Sequence, residues 1–430
     1  MTVAFSRPEV PGDRGDQQAI TDASLDGAIT ASGVSMASVP DLAAGRGPDW
    51  LEQSLTRSVS DVVAWRRHIH ANPELSNREY GTTELVESVL RSLGLRPTVL
   101  SGGTGVVCDI GSGDTCVALR ADMDALPITE ATGLPFASSV DGVAHACGHD
   151  AHTAILMATA MALTAAPELP VKVRLIFQPA EEVMHGGALD VISEGWLDGV
   201  DRIFALHCAP HLPVGTIGSR TGAVTSAADL VTLRLSSPGG HTARPHLTAD
   251  LVHALGTVVT GLPGVLSRRV DPRSGTVLTW GSVHAGDAPN TVPEHGSLLG
   301  TLRTADREVW RELEPLVASA VEALVAPTGV ELDFDYRRGV PPVVCDEDST
   351  AQLRAGAAAA LGSDALVDIE QSSGGEDFGW YLEHVPGAFA RLGVWPGHGP
   401  VRDIHQGTFE LDERALLVGV RTLVHTVLAS

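Results

Sequence analysis

Residues 144–152 read A-H-A-C-G-H-D-A-H, which places a cysteine, three histidines and an aspartate within nine positions. Cys147 and His149 can serve one metal centre only if the backbone between them turns tightly, and Gly148 permits that turn. Further candidate ligands or bases follow at the ends of predicted strands: Glu181, Glu182, His207 and, much later, His405. Together they read as a dinuclear metal site suited to hydrolysis.

Around this stretch the chain alternates strand and helix patterns. Asp150 is placed to cap a helix that runs through Thr153, Leu156, Met157, Ala160 and Leu163. Upstream, helices are expected over 50–71 and 80–93, then strands over 106–110 and 115–121. Downstream, a strand over 171–177 ends at Gln178-Pro179, a helix covers 187–196 and a strand runs over 202–207. Such alternation implies an α/β fold with a mostly parallel sheet flanked by helices. After residue 225 the pattern becomes βαββαβ, with strands over 228–235, 276–284, 295–303 and 330–336 and helices over 249–262 and 306–325. We therefore expect a metal-binding catalytic domain over 49–225 plus 339–430. A smaller α+β domain over 226–338 is inserted into it as a lid. Residues 1–48 are expected to be a mobile extension with at most a weak helix over 19–37.

Composition narrows the function classes. The 430 residues carry a formal charge of −24, with 53 Asp and Glu against 29 Lys and Arg. That balance argues against nucleic acid and against an anionic membrane surface, both of which need concentrated cations. Five cysteines, an odd number with no framework spacing, point to a reducing compartment. No secretory leader pattern is visible, so a cytoplasmic location is expected. No apolar run is long enough to span a bilayer.

The ligand candidates sit where predicted strands end, the usual place for sites in open α/β sheets. Asp122 and Asp124 follow one strand, Glu181 and Glu182 a second, and His207 closes a third. Amide hydrolysis needs an activated water, a Lewis acid for the carbonyl oxygen and a proton donor for the leaving amine. Two metal ions serve the first two needs and a free carboxylate the third. An adjacent pair such as Glu181-Glu182 can divide this labour, one residue binding metal and the other shuttling the proton. Singly, each residue has a plainer reading. Cys147 could be a small buried hydrophobe, Glu181-Glu182 a solvated helix start, His207 a core histidine and His241 a turn residue. His152, one helical turn beyond His149, is expected to support the site rather than bind metal.

Seven motifs sharpen the reading. R-A-D-M-D-A-L-P-I (120–128), H-A-C-G-H-D-A-H-T-A (145–154), F-Q-P-A-E-E (177–182), S-P-G-G-H-T-A-R-P-H (237–246), A-P-N-T-V-P-E (288–294), G-G-E-D-F (374–378) and I-H-Q-G-T-F (404–409) occur in order. They resemble a co-catalytic di-metal hydrolase family in its branch of hippurate hydrolases, N-acyl-amino-acid amidohydrolases and indole-3-acetyl-amino-acid hydrolases. This branch is related to the aminoacylases and glutamate carboxypeptidases. The resemblance spans residues 55–430.

The resemblance implies that Cys147, His149, Glu182, His207 and His405 bind two divalent ions, Zn or Mn first and Co or Ni as alternatives. It implies Glu181 as catalytic base and acid, and His241 as a group reaching over the site from the inserted domain. Asn290 and Arg303 become substrate contacts. The carboxypeptidase relatives carry His-x-Asp where this chain has Asp122-Met123-Asp124, so Asp122 and Asp124, with Asp150, read as support behind the ligands. The implied substrate is an N-acyl amino acid, and the implied assembly a homodimer through the inserted domain. A peptidase acting on unblocked dipeptides and a non-catalytic metal-binding protein are the competing readings.

Overall fold

The computed structural model describes residues 47–430 except His185. The expected mobile extension and its weak helix lie outside the described residues, apart from Gly47 and Pro48. The first elements are α1 (Asp49–Ala71), α2 (Tyr80–Ser92), β1 (Thr98–Val99), β2 (Val106–Ile110) and β3 (Cys116–Asp122). Then come α3 (His149–Thr164), β4 (Lys172–Gln178), α4 (Ala188–Ser193), β5 (Arg202–Pro213), β6 (Ile217–Ser219) and β7 (Gly222–Ala223). All of β3 and nearly all of β4 are buried, as befits strands covered on both faces. Helix α3 is buried at every position from His149 to Ala160, so it is a core helix rather than an amphipathic one. Helix α1 packs against it through a face that includes Leu55, Val62 and Ile69.

Three local expectations change in this part of the chain. Asp150 does not cap α3: the N-cap is Gly148, and no side chain bonds to the helix end. Asp150 sits in the first turn, where its charge suits the helix dipole, and its Oδ2 accepts from Arg66 Nε at 2.7 Å. The helix expected over 187–196 shrinks to α4, and Gly195 at φ 80° turns the chain away. Strand β5 continues past His207 to Pro213 because β16, defined below, stays paired with it.

The next segment holds β8 (Ala228–Ser236), β9 (Gly240–His241), α5 (Leu251–Arg269), β10 (Val277–Ala285), β11 (Thr291–Val292), β12 (His295–Arg303), α6 (Arg307–Val325) and β13 (Glu331–Val340). Four of these strands form an antiparallel sheet in the order β10-β12-β8-β13. Val231, Leu233 and Leu235 point from β8 to one face and pack with Leu255, Val258, Leu313 and Val317 of α5 and α6. Helix α5 runs beyond its expected end at residue 262 and through Pro263, because Leu266 keeps the buried stripe going. Val283 and Leu299, on β10 and β12, are exposed.

The chain closes with β14 (Val344–Cys345), α7 (Glu347–Leu361), β15 (Leu366–Asp368), α8 (Phe378–Tyr381), β16 (Gly387–Trp395) and α9 (Arg414–Leu428). The large sheet has the order β1-β2-β4-β3-β5-β16-β6-β15. Its centre, β4-β3-β5-β16, is parallel throughout, while antiparallel pairs lie toward the margins. Among the described residues no helix is long and apolar enough to cross a membrane.

Candidate metal centre

The carboxyl ends of the central parallel strands set the site. Strand β3 delivers Asp122 and, just beyond it, Asp124. Strand β4 leads into Glu181 and Glu182, and β5 carries His207. Gly148, at φ 91°, makes the turn that brings Cys147 and His149 to the same rim. A Cβ at Gly148 would stand 2.7 Å from Cys208 Sγ, so both the conformation and the space exclude a side chain. Cys147 Sγ comes within 3.4 Å of His207 Nε2. His149 Nε2 lies 3.8 Å from both Asp122 Oδ1 and Glu182 Oε1, and His405 Nε2 stands 3.3 Å from the same Glu182 oxygen.

Ala180 adopts φ 57°, an uncommon value for a residue with a side chain, immediately before the glutamate pair. Its N–H donates to buried Glu79 Oε1 at 2.8 Å. Asp124 then fixes both glutamates through the backbone: Glu181 N–H donates to its Oδ1 at 3.0 Å and Glu182 N–H to its Oδ2 at 2.9 Å. The same carboxylate accepts from Ser76 Oγ at 2.6 Å and lies 3.3 Å from His149 Nδ1. Asp124 thus orients a candidate ligand and the loop of the acid pair together.

A second layer surrounds this one. Arg120 spans Asp122 at 2.6 Å, Asp377 at 2.7 Å and Glu376 at 3.2 Å. His152 has both ring nitrogens engaged: Nδ1 is 2.6 Å from Asp122 Oδ1, and Nε2 accepts the Cys208 N–H at 2.8 Å. A ring held this way has no lone pair left for an ion. Asp150 faces away from the centre, toward Arg66 and His70.

The electrostatics follow from burial and crowding. Burial pushes the Cys147 thiol well above its ordinary value. Burial, with Glu376, Glu182 and Asp377 close by, raises Glu181 well above the usual carboxylate range. Burial and the neighbouring Arg391 cation hold the His207 imidazole well below its ordinary value, which keeps it neutral. Burial also lowers Arg391, despite the acids that surround it.

A cleft of about 410 Å³ opens over these groups. Of the residues singled out in the sequence, Cys147, Glu181, Glu182, His207, His405 and Arg303 line it, and His149 lies next to several of them. His241 and Asn290 do not line it: His241 is exposed on β9, and Asn290 binds the neighbouring Thr242 N–H through its carbonyl. Arg303 donates to the Ser373 carbonyl at 2.6 Å. Sequence reasoning left Glu376 and Asp377 without a role although G-G-E-D-F marked them. It missed Arg66, Glu79 and Arg391 entirely: Arg66 and Glu79 stand among other polar residues, and Arg391 is a lone charge in an apolar strand, so none carries a pattern of its own.

The donor set suits divalent ions. Cys147, His149 and His207 form one group whose ligand atoms lie within 4.8 Å of one another, and Cys147, Glu182 and His405 form another, so Cys147 belongs to both. His149 Nε2 is buried without a hydrogen-bond partner among the described residues, a costly state that an ion would relieve. Mixed thiolate, imidazole and carboxylate ligands match Zn²⁺ and its first-row neighbours.

Comparison with known proteins gives the family. Residues 118–429 match Peptidase family M20/M25/M40. A Rhodococcus jostii protein named for a glutamate–cysteine ligase is 59% identical over 377 residues, which cover 87% of this chain and 47% of that protein. The chain thus spans about half the length of this relative. The N-acetyl-L-cysteine deacetylase of Bacillus subtilis is 38% identical, with 85% of this chain and 86% of that protein covered. A solved Bacillus subtilis structure, described as a dinuclear metal binding peptidase from the M20 family, superposes with a TM-score of 0.75 at 35% identity and covers 88% of this chain and 98% of its own. With the strand-end site, the paired donor groups and these matches in view, the chain belongs to peptidase family M20/M25/M40, as a metal-dependent hydrolase of amide bonds.

Proposed function

We propose that the substrate is an N-acyl amino acid and that the products are a carboxylic acid and a free amino acid. The observation that carries this reading is Glu181. Its backbone is pinned by Asp124, while its carboxylate makes no hydrogen bond among the described residues and lines the cleft beside two candidate ligand groups. The deacetylase name of a relative covered over most of its length favours an acyl group on the substrate nitrogen.

In this reading Cys147, His149, Glu182, His207 and His405 hold two divalent ions, Zn or Mn. When bound, the ions supply Lewis acidity and lower the pKa of water. Glu181, held ionised by the charge of bound ions, takes a proton from the attacking water as the new C–O bond forms. It returns that proton to the nitrogen as the C–N bond breaks. Asp122, Asp124 and Asp150 hold the ligand-bearing segments in place. His241 and Asn290, adjacent where β9 pairs with β11, reach the substrate only when the 226–338 segment closes as a lid, with Arg303 contacting it from the end of β12. The exposed Val283 and Leu299 on the open sheet face suit a homodimer.

The test is release of free amino acid from hippurate, N-acetyl amino acids and indole-acetyl conjugates by metal-reconstituted protein, with unblocked dipeptides as the contrast. Chelator-sensitive turnover of the acylated compounds is the expected result. Turnover confined to dipeptides would move the assignment to a peptidase.

A further inference from the structure

One cation lining the cleft makes no ion pair among the described residues. Arg391 lies on β16, directly across from His207 of β5 in the parallel register, so both side chains rise on the same face at the strand ends. It is partly buried and lines the cleft with Glu181, Glu376 and Arg303. Among the described residues its guanidinium makes no hydrogen bond and no ion pair. The guanidinium lies 5.1 Å from the centre of the Phe389 ring on the same strand.

Glu181 is near enough to act on Arg391 through space but makes no ion pair with it among the described residues, and the other acids are engaged elsewhere. Glu376 and Asp377 are engaged by Arg120, at 3.2 Å and 2.7 Å, and Glu182 faces His149 and His405. The other cleft arginine, Arg303, already donates to a backbone carbonyl. A partly buried guanidinium with no carboxylate bonded to it leaves its donors unused, and its planar fork matches a carboxylate in two parallel hydrogen bonds.

We propose that Arg391 is a specificity-determining residue that binds a carboxylate of the substrate, so that the site selects acylated compounds bearing a free acid. The inference rests on the amidohydrolase reading above. Two parts of such a substrate can supply the acid: the α-carboxylate of the amino acid, or an acidic acyl group.

Three compounds separate them: N-acetylmethionine, its carboxamide, and the N-succinyl derivative of methionine amide. Steady-state kinetics and calorimetric binding are measured on metal-loaded wild type, Arg391→Gln and Arg391→Lys, with metal content checked in each. The expected result is a KM or Kd weakened by about 10- to 100-fold in Arg391→Gln for whichever acid-bearing compound is recognised. Its neutral counterpart should be nearly unaffected, and Arg391→Lys should recover part of the loss. A loss confined to N-acetylmethionine assigns the α-carboxylate, and a loss confined to the succinyl compound assigns the acyl side. Equal weakening of charged and neutral compounds, or none, overturns the proposal. If fully metal-loaded wild type turns over neither these compounds nor hippurate and the indole-acetyl conjugates, the amidohydrolase reading fails. The binding data then still decide Arg391 by the same comparison.

Discussion

Asp124 Oδ2 accepts the backbone N–H of Glu182 at 2.9 Å, while its other oxygen accepts that of Glu181. One carboxylate therefore sets the heading of both members of the acid pair and also lies against His149. Replacing it should disturb metal binding and chemistry together. Asp124→Ala is expected to lower metal affinity by about 10- to 100-fold, with a parallel fall in kcat. Elemental analysis after dialysis against graded chelator reads the first effect, and turnover at saturating metal reads the second.

Glu181→Gln should separate the two. The substitution keeps the backbone bond to Asp124 and removes the proton shuttle. Turnover should fall by about 100- to 10,000-fold with metal content unchanged. Activity within a few-fold of wild type would take Glu181 out of the mechanism.

His241 stands on β9, away from the cleft lining, so its contribution depends on movement. His241→Ala should lower kcat and leave metal stoichiometry and thermal stability unaltered, since the exposed ring supports no core. An unchanged kcat would exclude the residue from the reaction.

Glu79 gives a pH signature independent of turnover. One of its oxygens accepts the Ala180 N–H, and Oε2 is buried without a partner among the described residues. Burial pushes the carboxyl from its reference value of 4.5 up to about 7. Between those values the folded protein holds a proton that the unfolded chain has released. The stability tied to this group is thus complete below pH 4.5 and is lost as pH rises through 7. Glu79→Gln cannot ionise. Wild type should match it at low pH, then fall behind it above neutrality by up to about 3 kcal/mol. Denaturant midpoints of metal-free protein at several pH values measure the gap. Parallel curves across the range would refute this account.

Much of the architecture was legible in the residues. Alternation of Val171, Val173, Leu175 and Phe177 with Lys172 and Arg174 announced β4, and alternation along β8 announced the second sheet. The metal-site candidates were legible because cysteine, histidine and paired glutamates are unusual company at strand ends. Less legible was whatever depends on distant partners. Asp150 looks like a helix cap until Arg66, far away in sequence, claims it. Arg391 looks like an interruption in an apolar strand until β5 sets His207 beside it. The motifs around His241 and Asn290 identified those residues without fixing how far from the cleft they rest.

The position of β16 has a consequence for biosynthesis. This strand, the last of the large sheet to be translated, inserts between β5 and β6, near the middle rather than at a margin. Until residue 395 has left the ribosome, β5 must wait with an unpaired side, and His207 waits with it. A nascent chain carrying nearly every site residue is therefore still an open-edged sheet, the form most exposed to wrong pairing. Chains truncated ahead of β16 should accumulate as aggregates rather than as soluble partial enzymes.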